Sequence, residues 1–149
     1  MKPVFTGLAL LLFLPSIYCQ TDSPVEIPSP VMDQFTLNYP DAENVEWTVQ
    51  HGKYLANFKN YKKNTSAMLR EDGKLLQTET EIKVIALPLE ATSYLQDDVK
   101  AKKIETASIV ENETGEITFK AFTDKDQYWF DGGGQVLYQN DVALGPKNR

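Results

Sequence analysis

Ile27-Pro28-Ser29-Pro30-Val31-Met32-Asp33-Gln34-Phe35 and Leu87-Pro88-Leu89-Glu90-Ala91-Thr92-Ser93-Tyr94-Leu95 stand sixty positions apart and keep one register. Pro28 aligns with Pro88, Val31 with Ala91, Phe35 with Leu95 and Tyr39 with Val99. Each opening leads into short alternating stretches and a glycine turn, Arg70-Glu71-Asp72-Gly73 first and Asp131-Gly132-Gly133-Gly134 second. A repeat of this length marks a supersecondary unit that cannot bury its apolar face alone. The reading is a tandem duplication of an α-β-β-β-β unit.

In the first copy, Ser29 is placed to cap a helix, and Pro30 suits the first helical position, where no backbone donor is needed. Met32, Phe35 and Tyr39 then form one apolar stripe, and Pro40 stops the helix. Val45, Trp47 and Val49 alternate with polar residues, as do Tyr54, Ala56 and Phe58, so both stretches read as strands with one buried face. A third strand at 66–70 reaches Asp72-Gly73, a two-residue signal for a tight hairpin, and a fourth runs over 75–85. The second copy gives a helix over 88–102 with Ala91, Leu95 and Val99 on one face, longer and more regular than the first. Strands follow at 104–110, 117–122, 127–130 and 136–139. The fold class is α+β, an antiparallel sheet with two helices packed on one face.

Outside the repeats, residues 1–19 have the layout of a secretory signal peptide: Lys2, an apolar run over 4–14, then Pro15-Ser16. That run is too short to cross a hydrocarbon core of roughly 30 Å as a helix. Cleavage after Cys19 leaves Gln20 first; the alternative is a lipoprotein anchored at Cys19, against which stands the large Tyr18 before it. Residues 20–27 are an extended leader, 28–140 the folded domain (28–86 and 87–140), and 141–149 a tail. Cys19 is the sole cysteine, so a cleaved chain has no disulfide and depends on its core. The net charge of −6 becomes −7 once Lys2 is removed. Spread acidity of this kind argues against nucleic acid, which requires a concentrated basic patch.

Candidate chemistry is sparse. His51 is the lone histidine and sits in a turn, so neither a triad nor a zinc site can be assembled around it. Asp124-Lys125-Asp126 opens like a calcium loop but lacks the later ligands and glycine. The triple glycine has no Lys-Ser or Lys-Thr after it and reads as a turn. Glu79 and Glu81 share a strand face, as solvated carboxylates do. Asn64-Thr65-Ser66 and Asn112-Glu113-Thr114 match the glycosylation sequon. Lys59, Lys62 and Lys63 make a small basic cluster in a hairpin loop. No catalytic residue, metal ligand or cofactor site is expected, and the chain reads as a non-enzyme.

Aromatic residues carry more. In Gln127-Tyr128-Trp129-Phe130, alternation puts Tyr128 and Phe130 on one face and Trp129 on the other. With Tyr128 and Phe130 under the helices, Trp129 and its counterpart Met68 fall on the uncovered face. A large apolar group there indicates a site. Tyr61, Phe122 and Tyr138 are the aromatics expected to extend the patch.

The run Ile27-Pro28 with Phe35, Tyr39-Pro40, Val45-Glu46-Trp47, Tyr54 and Asp72-Gly73-Lys74-Leu75 resembles PepSY-like secreted proteins. These are common in Bacteroidetes-type bacteria and share a fold with the β-lactamase inhibitory protein (BLIP). Leu87-Pro88, Ile104, Gly115, Ile117 and Phe130-Asp131-Gly132 echo the pattern, with no tryptophan at the Trp47 position of the second copy. The resemblance implies a periplasmic or secreted binding module of a kind held to restrain proteases or other secreted proteins. Its motifs are structural, so no inhibitory residue carries over. The leading expectation is a module that binds or inhibits a protein or peptide of the envelope or exterior through the open sheet face and hairpin loops. The alternative is a carrier for a small apolar or envelope-derived ligand held between sheet and helices.

Overall fold

A computed structural model of the chain describes residues 26–140. The expected signal segment, Cys19, most of the leader and the tail lie outside the described residues. Helix α1 (Ser29–Asn38) precedes strands β1 (Glu43–Gln50), β2 (Lys53–Asn60), β3 (Lys63–Leu69) and β4 (Leu75–Ile82). A 3-10 turn (Val84–Ala86) leads to helix α2 (Leu89–Ser93) and a π-helical segment (Tyr94–Asp98). Strands β5 (Ile104–Asn112), β6 (Ile117–Thr123), β7 (Gln127–Phe130) and β8 (Val136–Asn140) complete the order. All eight form one antiparallel sheet in sequence order, so β4 pairs with β5 across the middle.

Both helices start on proline. Pro28 is extended (ψ 143°) and its carbonyl accepts the Val31 and Met32 N–H groups at 3.0 and 3.1 Å. Pro88 repeats that geometry (ψ 144°) at α2. Ser29 is therefore inside the helix and makes no capping bond, contrary to its expected role as the cap. Backbone preset by the two prolines takes that place. The buried stripe also differs: Val31 and Phe35 are buried, whereas Met32 is 41% exposed.

The second helix is shorter and less regular than the 88–102 span expected. After Ser93 the turns widen: Val99 N–H reaches the Tyr94 carbonyl at 3.0 Å and Ala101 N–H the Leu95 carbonyl at 2.9 Å. Lys100 then adopts φ 54° and ends the segment. Asp97 and Asp98 stand where the helix dipole disfavours negative charge and have low helix propensity. The wide turns nonetheless keep Leu95 fully buried and Val99 against the core. The fourth strand likewise stops at Ile82 rather than 85.

Pairing register settles the two faces. Trp47, Ala56, Ala67 and Thr78 lie in one row across β1 to β4. Four residues beyond Thr78, Ile82 begins the row Ala107, Ala121, Tyr128 on the same side. Val31 and Phe35 pack on Ala56, Phe58, Ala67 and Leu69; Ala91 and Leu95 pack on Ala107, Ala121, Tyr128 and Phe130. Alanines beneath each helix, all fully buried, let it approach the sheet closely. Both helices thus cover one face, and the other is open.

Candidate interaction surface

Strand alternation delivers two rows to the open face, polar except for the buried Val110 and for Trp129. One runs Glu46, Asn57, Ser66, Glu79, Val110, Thr118 from β1 to β6. The next includes Lys59 and Asn64, then Glu81, Ser108, Lys120 and Trp129. A single depression of about 440 Å³ is lined by residues of six strands, from Glu46 on β1 to Phe122 on β6. Six strands side by side span about 24 Å at the usual spacing, so the depression runs across most of the open face.

Lys120 gathers a cluster on the same face, of which Glu79 and Phe122 line the trough. The Lys120 ammonium pairs with the Glu79 carboxylate, and both side chains are largely buried. The same Nζ lies 5.3 Å from the Trp129 ring centroid and 5.4 Å from that of Phe122. A cation held by a carboxylate and two aromatic faces is fixed in place, and it fixes the rings in turn. On the adjacent strands Asn64 Nδ2 donates to Glu81 Oε2 at 2.5 Å.

The sequence-predicted site residues are only partly brought together. Trp129 is on the open face, half-buried, with Phe122 beside Lys120 and 37% exposed. Met68 shares the face, but β3 is four strands from β7, about 19 Å away. The two do not form one patch. Tyr61 leaves the surface altogether: it occupies the β2–β3 turn, 76% exposed, and its hydroxyl donates to Asp41 Oδ2 at 3.1 Å. Tyr138 pairs opposite Trp129 through the backbone of β8. The face is consequently a polar trough with an aromatic cluster at one side rather than an aromatic patch. Asn57, Ser66, Ser108 and Lys120 were not singled out from the sequence. Their signal was present as the polar half of each alternation, which reads as ordinary solvation until the register aligns it.

Other sequence motifs resolve into structural parts. Asp124 Oδ1 accepts the Lys102 N–H at 2.9 Å and fastens the β6–β7 turn to the segment before β5. Asn112 Oδ1 accepts from the Thr114 and Glu116 N–H groups, both at 3.0 Å, and shapes the β5–β6 turn. His51 stands at φ 51° in the β1–β2 turn, and Asn64 is in β3.

No family model matches the chain, and no curated protein matches it in sequence. Solved structures do. A candidate periplasmic protein of Bacteroides eggerthii superposes with TM-score 0.71 at 17% identity, covering 77% of this chain and 88% of that one. A BLIP-like protein of Bacteroides fragilis gives TM-score 0.66 at 22% identity, over 85% and 94%. A DUF2874 family protein of Bacteroides uniformis gives 0.66 at 15% identity, over 77% and 89%. At these identities the likeness is one of fold: the chain has the α+β fold of a BLIP-like protein.

Proposed function

We propose that the chain is a non-enzymatic, periplasmic or secreted binding module that takes up a protein or peptide along its open sheet face. The observation carrying this reading is the uncovered trough, with Phe122 in its lining and Lys120 and Trp129 clustered beside it on the same face. Interface energy concentrates in a few rigid aromatic anchors set in a polar surround, and this cluster has that character. The helix-covered face is filled by its own side chains: Val31, Ala56, Ala67, Leu69, Ala91 and Leu95 are fully buried. That filling favours the open face over a carrier site between sheet and helices.

The same reading includes a PepSY-like origin, duplication of one α-β-β-β-β unit and release by cleavage after Cys19. Support for duplication comes from the two proline-started helices and from the equivalent burial of Phe35 and Leu95. Support for export comes from the layout of residues 1–19 and from neighbours described as periplasmic. Among the described residues no helix is long and apolar enough to cross a membrane.

The test is capture of partners from envelope fractions by the wild-type chain and by Trp129→Ala, with mass-spectrometric identification. Loss of about 1.4 kcal/mol at an aromatic anchor weakens capture tenfold. Retained capture by Trp129→Ala together with a large loss of stability would remove the open face from the account.

A further inference from the structure

At the end of the sheet holding the β2–β3 turn, a second cavity of about 600 Å³ is lined by Lys62, Lys63, Lys83, Asn64, Glu81, Ile82, Ile85 and Ala86. Among the described residues none of Lys59, Lys62, Lys63 or Lys83 is ion-paired. Glu81 is the only carboxylate on the wall, and it already accepts from Asn64. Ile85, 90% exposed, is the most exposed large apolar residue among those described. The turn itself is strained: Tyr61 and Lys62 both adopt positive φ, 48° and 66°, where a hairpin ordinarily uses Asn-Gly. Bulky residues held in that region cluster at functional sites.

From these features we infer that this end of the sheet docks on an anionic phospholipid surface. The lysines face lipid phosphates, Ile85 enters below the headgroups, and Tyr61 lies at headgroup level. An acidic polypeptide would use the lysines but leave Ile85 in water, so the combination favours lipid. Contact is peripheral, because no described helix can span a bilayer. Asn64 and Glu81 line both this cavity and the trough, so docking holds the trough beside the membrane.

The experiment is co-sedimentation of the chain starting at Gln20, which keeps every described element, with phosphatidylcholine vesicles with or without phosphatidylglycerol. The apolar run over 4–14 then contributes nothing. Binding is expected only with phosphatidylglycerol and weakens with salt. The double variant Lys62→Gln/Lys83→Gln is expected to lose about thirty-fold in affinity, and Ile85→Ser about tenfold. Lys62→Arg/Lys83→Arg and Trp129→Ala retain binding, and unchanged thermal midpoints certify the fold of each. Equal binding to phosphatidylcholine alone, no binding to either vesicle, or indifference to the lysine and Ile85 variants overturns the inference. So does saturable binding of inorganic phosphate or a polyglutamate peptide without vesicle binding.

Discussion

Gly73 and Gly134 show how single residues hold each helix to its hairpin. Both adopt left-handed φ, 85° and 87°, after a turn closed by Arg70 and Asp131. A Cβ on Gly73 would lie 2.4 Å from the Pro30 carbonyl oxygen; on Gly134 it would lie 2.8 Å from the Ala91 nitrogen. Gly115 has the same backbone (φ 82°) with nothing within 4 Å. Gly115→Ala therefore isolates the backbone cost, about 1–2 kcal/mol. Gly73→Ala and Gly134→Ala add a clash with backbone, for about 2–4 kcal/mol in all; denaturant titration of the three variants checks the order. The glycines were legible as turns, but the sequence suggested a two-residue hairpin at Asp72-Gly73. The loop spans three residues, Arg70 N–H bonding the Lys74 carbonyl at 2.9 Å, and the ladder slips in register beside it. Asp72 supplies a second residue-scale test. Hydrogen bonds from Arg70 and the Lys74 N–H lower its pKa from 3.8 to about 2. A depressed carboxylate stabilises above its unfolded pKa, and that contribution is lost as pH falls from about 4 through about 2. An NMR titration should place the Asp72 midpoint near 2, and Asp72→Asn should remove this part of the acid sensitivity.

At the scale of elements, the apolar alternation placed each of the eight strands within a few residues. It also put Tyr128 and Phe130 together on one face, and their packing against Ala91 and Leu95 makes that face the helix side. The second helix was less legible, since Ala91, Leu95 and Val99 satisfy helical spacing while Asp97 and Asp98 work against it. Phe35 and Leu95 pin α1 and the α2 segment to their alanine rows. Phe35→Ala is expected to cost about 3–5 kcal/mol and Leu95→Ala about 2–5 kcal/mol. Losses below about 1 kcal/mol at both, by equilibrium unfolding, would contradict the packing of the helices. The trough was the least legible part. Glu79 and Lys120 are 41 positions apart, and only the β4–β5–β6 register brings them together.

Across the whole molecule, the β4–β5 ladder joins the halves from Gln77 with Asn112 to Ile82 with Ala107. Lys74 Nζ also reaches Glu113 Oε2 at 2.6 Å between their turns. One continuous sheet predicts one cooperative unfolding transition, lowered as a unit by Phe35→Ala or Leu95→Ala, which calorimetry will register as a single peak. The central claim is that partners lie in the trough and not on the helices. Ser66 lies in the middle of the trough wall and Leu37, 74% exposed, lies on α1. The direct measurement is a photo-crosslinker introduced at Ser66 or at Leu37, followed by exposure to envelope fractions and mass spectrometry. Crosslinks to a defined protein or peptide from Ser66, abolished by Trp129→Ala and absent from Leu37, are the predicted result. Crosslinks from Leu37 with none from Ser66 would contradict the account.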